Sequence, residues 1–208
     1  READVVFTSD TDKNVVEASV KASEAAVKEE LEFSDAGFHL EFETVKPVTE
    51  RMTAACTADV LDFAYLMPNG FQHKSMAIEG LTVTSLNLGI VTTKDNTVSY
   101  TVTIRSAMDS GVTNLVNVLK TLAKRTNWKM ETSAAYPGWS YSPVSPLRDT
   151  YDKVCQEIYG KPLQLIAAHG GCECGVFKGF VPEMEIVSCG PVAMNVHTPQ
   201  EKLNLESF

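Results

Sequence analysis

The feature that most constrains this sequence is a pair of long alternating segments, Leu81–Thr92 and Thr97–Ser106, joined at Lys94-Asp95-Asn96. In the second, Val98, Tyr100, Val102 and Ile104 fall on one face, and Ser99, Thr101, Thr103 and Arg105 on the other. A period of two with so short a connection predicts an antiparallel hairpin with one face buried and the other polar. What precedes and follows must supply the cover. Apolar residues at helical spacing predict helices over Thr11–Leu31 (Val16, Val20, Val27, Leu31), Thr49–Met67 (Met52, Cys56, Val60, Phe63) and Gly111–Arg125 (Leu115, Leu119, Leu122), the last capped by Asp109 or Ser110. β-Branched and aromatic content predicts further strands at Ala3–Ser9, Gly37–Val45 and Trp128–Ala134. The order β-α-β-α-β-β-α-β reads as an α+β layer, an antiparallel sheet covered by helices.

At Tyr136 the character changes. Residues 136–146 carry three prolines and a glycine without regular period, and the domain boundary is placed there, giving domains of 1–135 and 136–208. Beyond it, helix (Leu147–Ile158), strand (Leu163–Ala168), Gly-rich turn, short helix (Glu173–Lys178) and strand (Met184–Cys189) alternate as in part of a doubly wound α/β sheet.

Charge and composition exclude some classes. A net charge of −9 repels a phosphate backbone, and no Lys/Arg stripe with interleaved aromatics is present, so nucleic acid is not an expected partner. No apolar run approaches the roughly 20 residues that span a bilayer. Five cysteines, an odd count scattered through helices and strands, read as reduced thiols and make the cytoplasm the expected compartment. The chain opens at Arg1 in an expected strand and ends at Phe208 in an expected helix start, so it is read as a fragment of a longer protein.

The residues able to carry chemistry cluster late. His169-Gly170-Gly171-Cys172-Glu173-Cys174-Gly175 lies between an expected strand and an expected helix. Such a turn either lets backbone N–H groups approach an anion at a helix N-terminus, with Glu173 orienting a ligand, or simply turns the chain, with Glu173 a first-turn helix acid. A thiolate metal site built on Cys172, Cys174 and Cys189 lacks a matching second half. His197, in the loop Gly190–Glu201, suits a zinc ligand or an exposed loop position. Arg105 ends the polar face of its strand, where a guanidinium fork either binds a carboxylate or serves as an edge charge.

Taken together, Asn69, Thr84-Ser85-Leu86-Asn87-Leu88-Gly89, Ile104-Arg105-Ser106 with Asp109-Ser110, Tyr136-Pro137-Gly138-Trp139, the HGGCECG turn and the GP…HTPQE stretch resemble the bacterial aminoacyl-histidine dipeptidases, zinc exopeptidases also called cytosol non-specific dipeptidases. The resemblance is strong from Leu81 onward and thin before Met67; the family usually carries leucine where Cys172 stands. It implies a lid domain (1–135), followed by part of an α/β catalytic domain. It implies hydrolysis of Xaa-His and other dipeptides by water activated between two divalent ions, zinc with cobalt or manganese as substitutes. His197 matches a metal ligand, Arg105 a lid arginine that grips the substrate carboxylate, and Gly171 a backbone substrate contact. Glu173 stands beside the last of these as a supporting residue. The His-x-Asp motif, the bridging aspartate and the general-base glutamate of the family have no counterpart here. The 208 residues alone are therefore expected to bind no zinc tightly and to be inactive. Two other readings stay open at this point: an anion-binding module without chemistry, and a dimerisation domain forming a homodimer through the Leu81–Ser106 strands.

Overall fold

A computed structural model of the chain describes every residue except 1, 134–136, 166–172, 197 and 208. The chain divides into two compact units, residues 1–58 and 59–208.

In the first unit, the Asp12 carboxylate accepts the Asn14 N–H at 2.8 Å and so starts helix α1 (Lys13–Glu30). Ion pairs one turn apart, Lys21–Glu17 at 2.9 Å and Lys28–Glu24 at 2.7 Å, lace its polar side. Val16, Val20 and Val27 form a half-buried stripe beside it. The strands expected at Ala3–Ser9 and Gly37–Val45 are not formed, and both stretches are irregular. Phe7 and Leu40 nonetheless line, with Val16 and Val20, an open groove of about 500 Å³ along α1. Alternation reports which side chains can be buried. A ladder also needs a neighbour to take each N–H and C=O, and none is laddered among the described residues of this unit.

Helix α2 (Ala54–Leu66) runs from the first unit into the second. It starts later than Thr49 because Thr53 Oγ1 accepts the Cys56 N–H at 3.2 Å, a local cap. The second unit is built on an antiparallel sheet of order β1-β2-β3, with β1 Gly70–Lys74, β2 Thr82–Lys94 and β3 Thr97–Ser106. The expected hairpin is present. Asp95 and Asn96 both take positive φ (50° and 59°), the pair of left-handed residues that a two-residue turn matched to strand twist requires. Gly89 is the extra residue of a bulge: Leu88 pairs with Val102 and Ile90 with Thr101. Beside it, Asn69 Oδ1 accepts the Leu88 N–H at 3.0 Å and fastens the start of β1, which was not anticipated from the sequence.

Helix α3 (Asp109–Arg125) covers the apolar face of this sheet. Phe63, Met67, Leu86, Leu115, Leu119 and Ala123 form the buried core, with Leu88, Val102 and Ile104 packed against it. Phe63, Tyr100 and Trp128 make a three-ring cluster with centroids 4.6–5.6 Å apart. The polar ends of two of these rings reach α2: Tyr100 Oη donates to Val60 O at 3.0 Å and Trp128 Nε1 to Asp59 O at 3.2 Å. Trp128 is not a strand residue, because Asn127 turns left-handed (φ 57°) and the Trp128 N–H closes back on Ala123 O at 2.9 Å.

Past residue 136, the described chain holds α4 (Pro146–Tyr159), α5 (Glu173–Phe180), a short ladder of β4 (Ala193–Met194) with β5 (Lys202–Leu203), and a 3-10 turn at Leu205–Ser207. Both helices stand close to their expected limits. Met184–Cys189 and the described residues 163–165 are irregular rather than strands. Met184 and Glu185 serve the helices instead. Glu185 Oε2 accepts from Ser145 Oγ (3.1 Å) and Leu147 N (2.6 Å) at the start of α4, and Met184 O accepts from Lys178 Nζ at 2.8 Å.

Candidate functional site

Arg105 pairs with Ser85 across β2 and β3, one residue before the end of its strand and on the face away from the core. Strand alternation fixes that choice, because Ile104 turns inward onto the core. Its neighbour Ser106 also faces inward, with its Oγ 2.8 Å from Oγ1 of Thr84, itself fully buried. Ser106 Oγ then accepts the Met108 N–H at 3.1 Å, turning the chain from strand into α3.

At that corner the expectation of a cap at Asp109 or Ser110 is corrected. The cap residue of α3 is Met108, with no side-chain hydrogen bond to the helix, and Asp109 is the first helical residue. The Asp109 carboxylate points outward, where Oδ1 accepts the Gly138 N–H at 3.0 Å. A second bond runs alongside, Ser140 Oγ donating to Ala107 O at 2.7 Å. The approach is backbone on backbone: a methyl group at Gly138 would lie 2.5 Å from the Ala107 carbonyl oxygen. On its far side the same segment meets α5, where a methyl at Gly175 would lie 2.6 Å from Pro137 O. Three stretches singled out in the sequence, Ile104–Ser110, Pro137–Trp139 and Glu173–Gly175, therefore stack in sequence-remote layers at one corner of the second unit. Sequence reasoning named the stretches but missed the Asp109–Gly138 bond. The only signal was an acidic residue at a helix start whose capping role it did not fill.

Glu173 is exposed and opens α5 with an acid in its first turn. Gly171, the rest of the Gly-rich turn and His197 lie outside the described residues. Cys189 is exposed rather than buried in a strand. It hydrogen-bonds the Tyr151 hydroxyl, and with Cys155 close by this holds the phenol protonated, pushing its pKa up to about 12. None of the described cysteines, Cys56, Cys155, Cys174 and Cys189, is in a disulfide. Among the described residues, no three His, Cys, Asp or Glu side chains group so as to hold a metal ion, and no helix is long and apolar enough to cross a membrane.

No protein-family model matches the sequence. Along all 208 residues it is 33% identical to the cytosol non-specific dipeptidase of Escherichia coli (strain K12), covering 100% of this chain and 43% of that protein. The fold matches the crystal structure of aminoacylhistidine dipeptidase from Vibrio alginolyticus with a TM-score of 0.82 and 29% identity, over 93% of this chain and 40% of that one. The chain thus spans less than half the length of each relative, and the α+β arrangement of a small antiparallel sheet with helices is common to it and the solved structure.

Proposed function

We propose that this chain, which corresponds to part of the aminoacyl-histidine dipeptidases, contributes substrate-binding elements to a dipeptide hydrolase. One observation carries this reading: the end of the Arg105 strand, the Pro137–Trp139 segment and α5 stack at one corner, in a fold shared at a TM-score of 0.82 with a solved dipeptidase. Arg105, exposed at the strand end, presents a planar fork suited to a dipeptide's C-terminal carboxylate. Gly171, just before α5 in sequence, offers backbone to the substrate, with Glu173 beside it as a supporting residue. Residues 1–135 act as the lid, and residues 136–208 belong to the catalytic side. The name of the Escherichia coli relative supports placing the protein in the cytoplasm.

His197 is the metal ligand in this reading. Zinc, when bound, supplies the Lewis acid that polarises the peptide carbonyl and activates water. The described residues do not by themselves fit such a centre. The role assigned to this chain is accordingly to bind and orient, and the 208-residue polypeptide alone neither holds zinc tightly nor hydrolyses peptide bonds.

Two experiments test this. Incubating the purified polypeptide with β-alanyl-histidine and added zinc or manganese should release no histidine, and turnover would overturn the claim of inactivity. In a nuclear magnetic resonance titration, a dipeptide should perturb the Arg105 Nε–H signal and the same dipeptide with an amidated C-terminus should not. Equal perturbation by both would remove Arg105 from the carboxylate site.

A further inference from the structure

We propose that Asp109 is a positioning residue that couples the end of the Arg105 strand to helix α5 through Pro137–Trp139. The proposal rests on the function above for its meaning. Its structural basis is independent of that reading.

The coupling passes through one thin element. Pro137–Trp139 is sandwiched between Ala107 and α5, so closely that neither Gly138 nor Gly175 has room for a methyl group. On the α5 side the Pro137 ring lies against Gly179 and the Trp139 Cβ against Gly175, which holds the segment to the helix; on the Ala107 side bare backbone meets bare backbone, which resists compression but not sliding. Directional bonds must supply the resistance to sliding, and two are present. Ser140 Oγ to Ala107 O joins neutral groups. Asp109 Oδ1 to Gly138 N involves an ionised acceptor, the stronger kind. Asp109 is also the residue at which β3 gives way to α3, four positions beyond Arg105 in sequence.

Site-resolved hydrogen exchange on the 208-residue chain tests the proposal, with amides of Leu86 and Ile104 in the hairpin as internal reference. D109A should speed exchange at Gly138 by about tenfold or more, the weight of one charge-assisted hydrogen bond. It should also raise exchange at Val176–Phe180 of α5 relative to the reference. D109N, which keeps an acceptor oxygen, should restore most of the α5 protection, and the Arg105 Nε–H signal should move in D109A and return in D109N. If only Gly138 responds while α5 keeps pace with the hairpin, the coupling is refuted. Should D109A fail to fold, D109N decides alone, since its weaker neutral bond should still leave α5 measurably less protected than in the parent. Parental rates there would refute the proposal. Loss of carboxylate binding in R105A tests the functional reading separately, so the two can fail independently.

Discussion

Thr84 and Ser106 face each other across β2 and β3 with their hydroxyls 2.8 Å apart, and the bare Cα of Gly111 is pressed against both. A methyl group at Gly111 would lie 2.6 Å from Ser106 Oγ and 3.0 Å from Thr84 Oγ1. Gly111→Ala gains helix propensity but must break or displace this part-buried pair. The expected net loss is about 1–2 kcal/mol. In the Ser106→Ala background the same substitution should cost at least about 0.5 kcal/mol less, which a double-mutant cycle by urea unfolding reads directly.

Gly138→Ala should be the more damaging change, because the obstructing atoms are Ala107 backbone at 2.5 and 2.7 Å and cannot rotate away. A loss of about 2–3 kcal/mol is expected, as for overpacking that shifts backbone. Gly190, with nothing within 4 Å of the corresponding position, is the control. Its alanine variant should stay within about 0.5 kcal/mol of the parent. Equal midpoints for the two variants would contradict the close packing.

Leu86 is the most buried large side chain of the core, at 1% exposure, whereas Leu61 on α2 is 61% exposed. Leu86→Ala should cost about 2–5 kcal/mol through lost transfer energy and a cavity. Leu61→Ala should cost less than about 0.5 kcal/mol. Thermal unfolding of both variants checks the contrast.

Tyr151 should ionise well above the ordinary tyrosine range, at about 12, because Cys189 and Cys155 favour its neutral form. The folded chain then keeps a proton that the unfolded chain releases near pH 10. Stability from this group is full below that pH and declines as pH rises toward 12. Phenolate absorbance during an alkaline titration, compared with Tyr151→Phe, assigns the late transition. Cys189→Ala should bring it back toward the ordinary tyrosine range.

The elements legible in the sequence were those whose hydrogen bonds are local. α1, α3, α4 and α5 satisfy their own backbones, and the periodic Val16/Val20/Val27 and Leu115/Leu119 stripes located them within a few residues. The β2–β3 hairpin was legible because its partner lies across a two-residue turn. Phe38, Leu40 and Phe42 carry the same alternation, yet their segment is not a strand, since alternation cannot say whether another strand lies alongside. β1 was missed for the converse reason: Gly70–Lys74 is polar and short, and its pairing owes more to Asn69 than to its own pattern. At the candidate site, the outward face of Arg105 followed from alternation. The Asp109–Gly138 bond joins residues 29 positions apart and needs folded coordinates to be seen.

The left-handed turn at Asp95-Asn96 also bears on the order of assembly. β2, β3 and α3 are consecutive in the chain, and Leu86, Leu115 and Leu119 of the core all come from them. Contacts so near in sequence close small loops and give up little chain entropy. A hairpin of this kind zips in roughly 1–10 μs, long before a ribosome adds the next residue. Residues 82–125 can therefore nucleate co-translationally, so that the Arg105 end of β3 already exists as a template when Pro137–Trp139 emerges to dock against it.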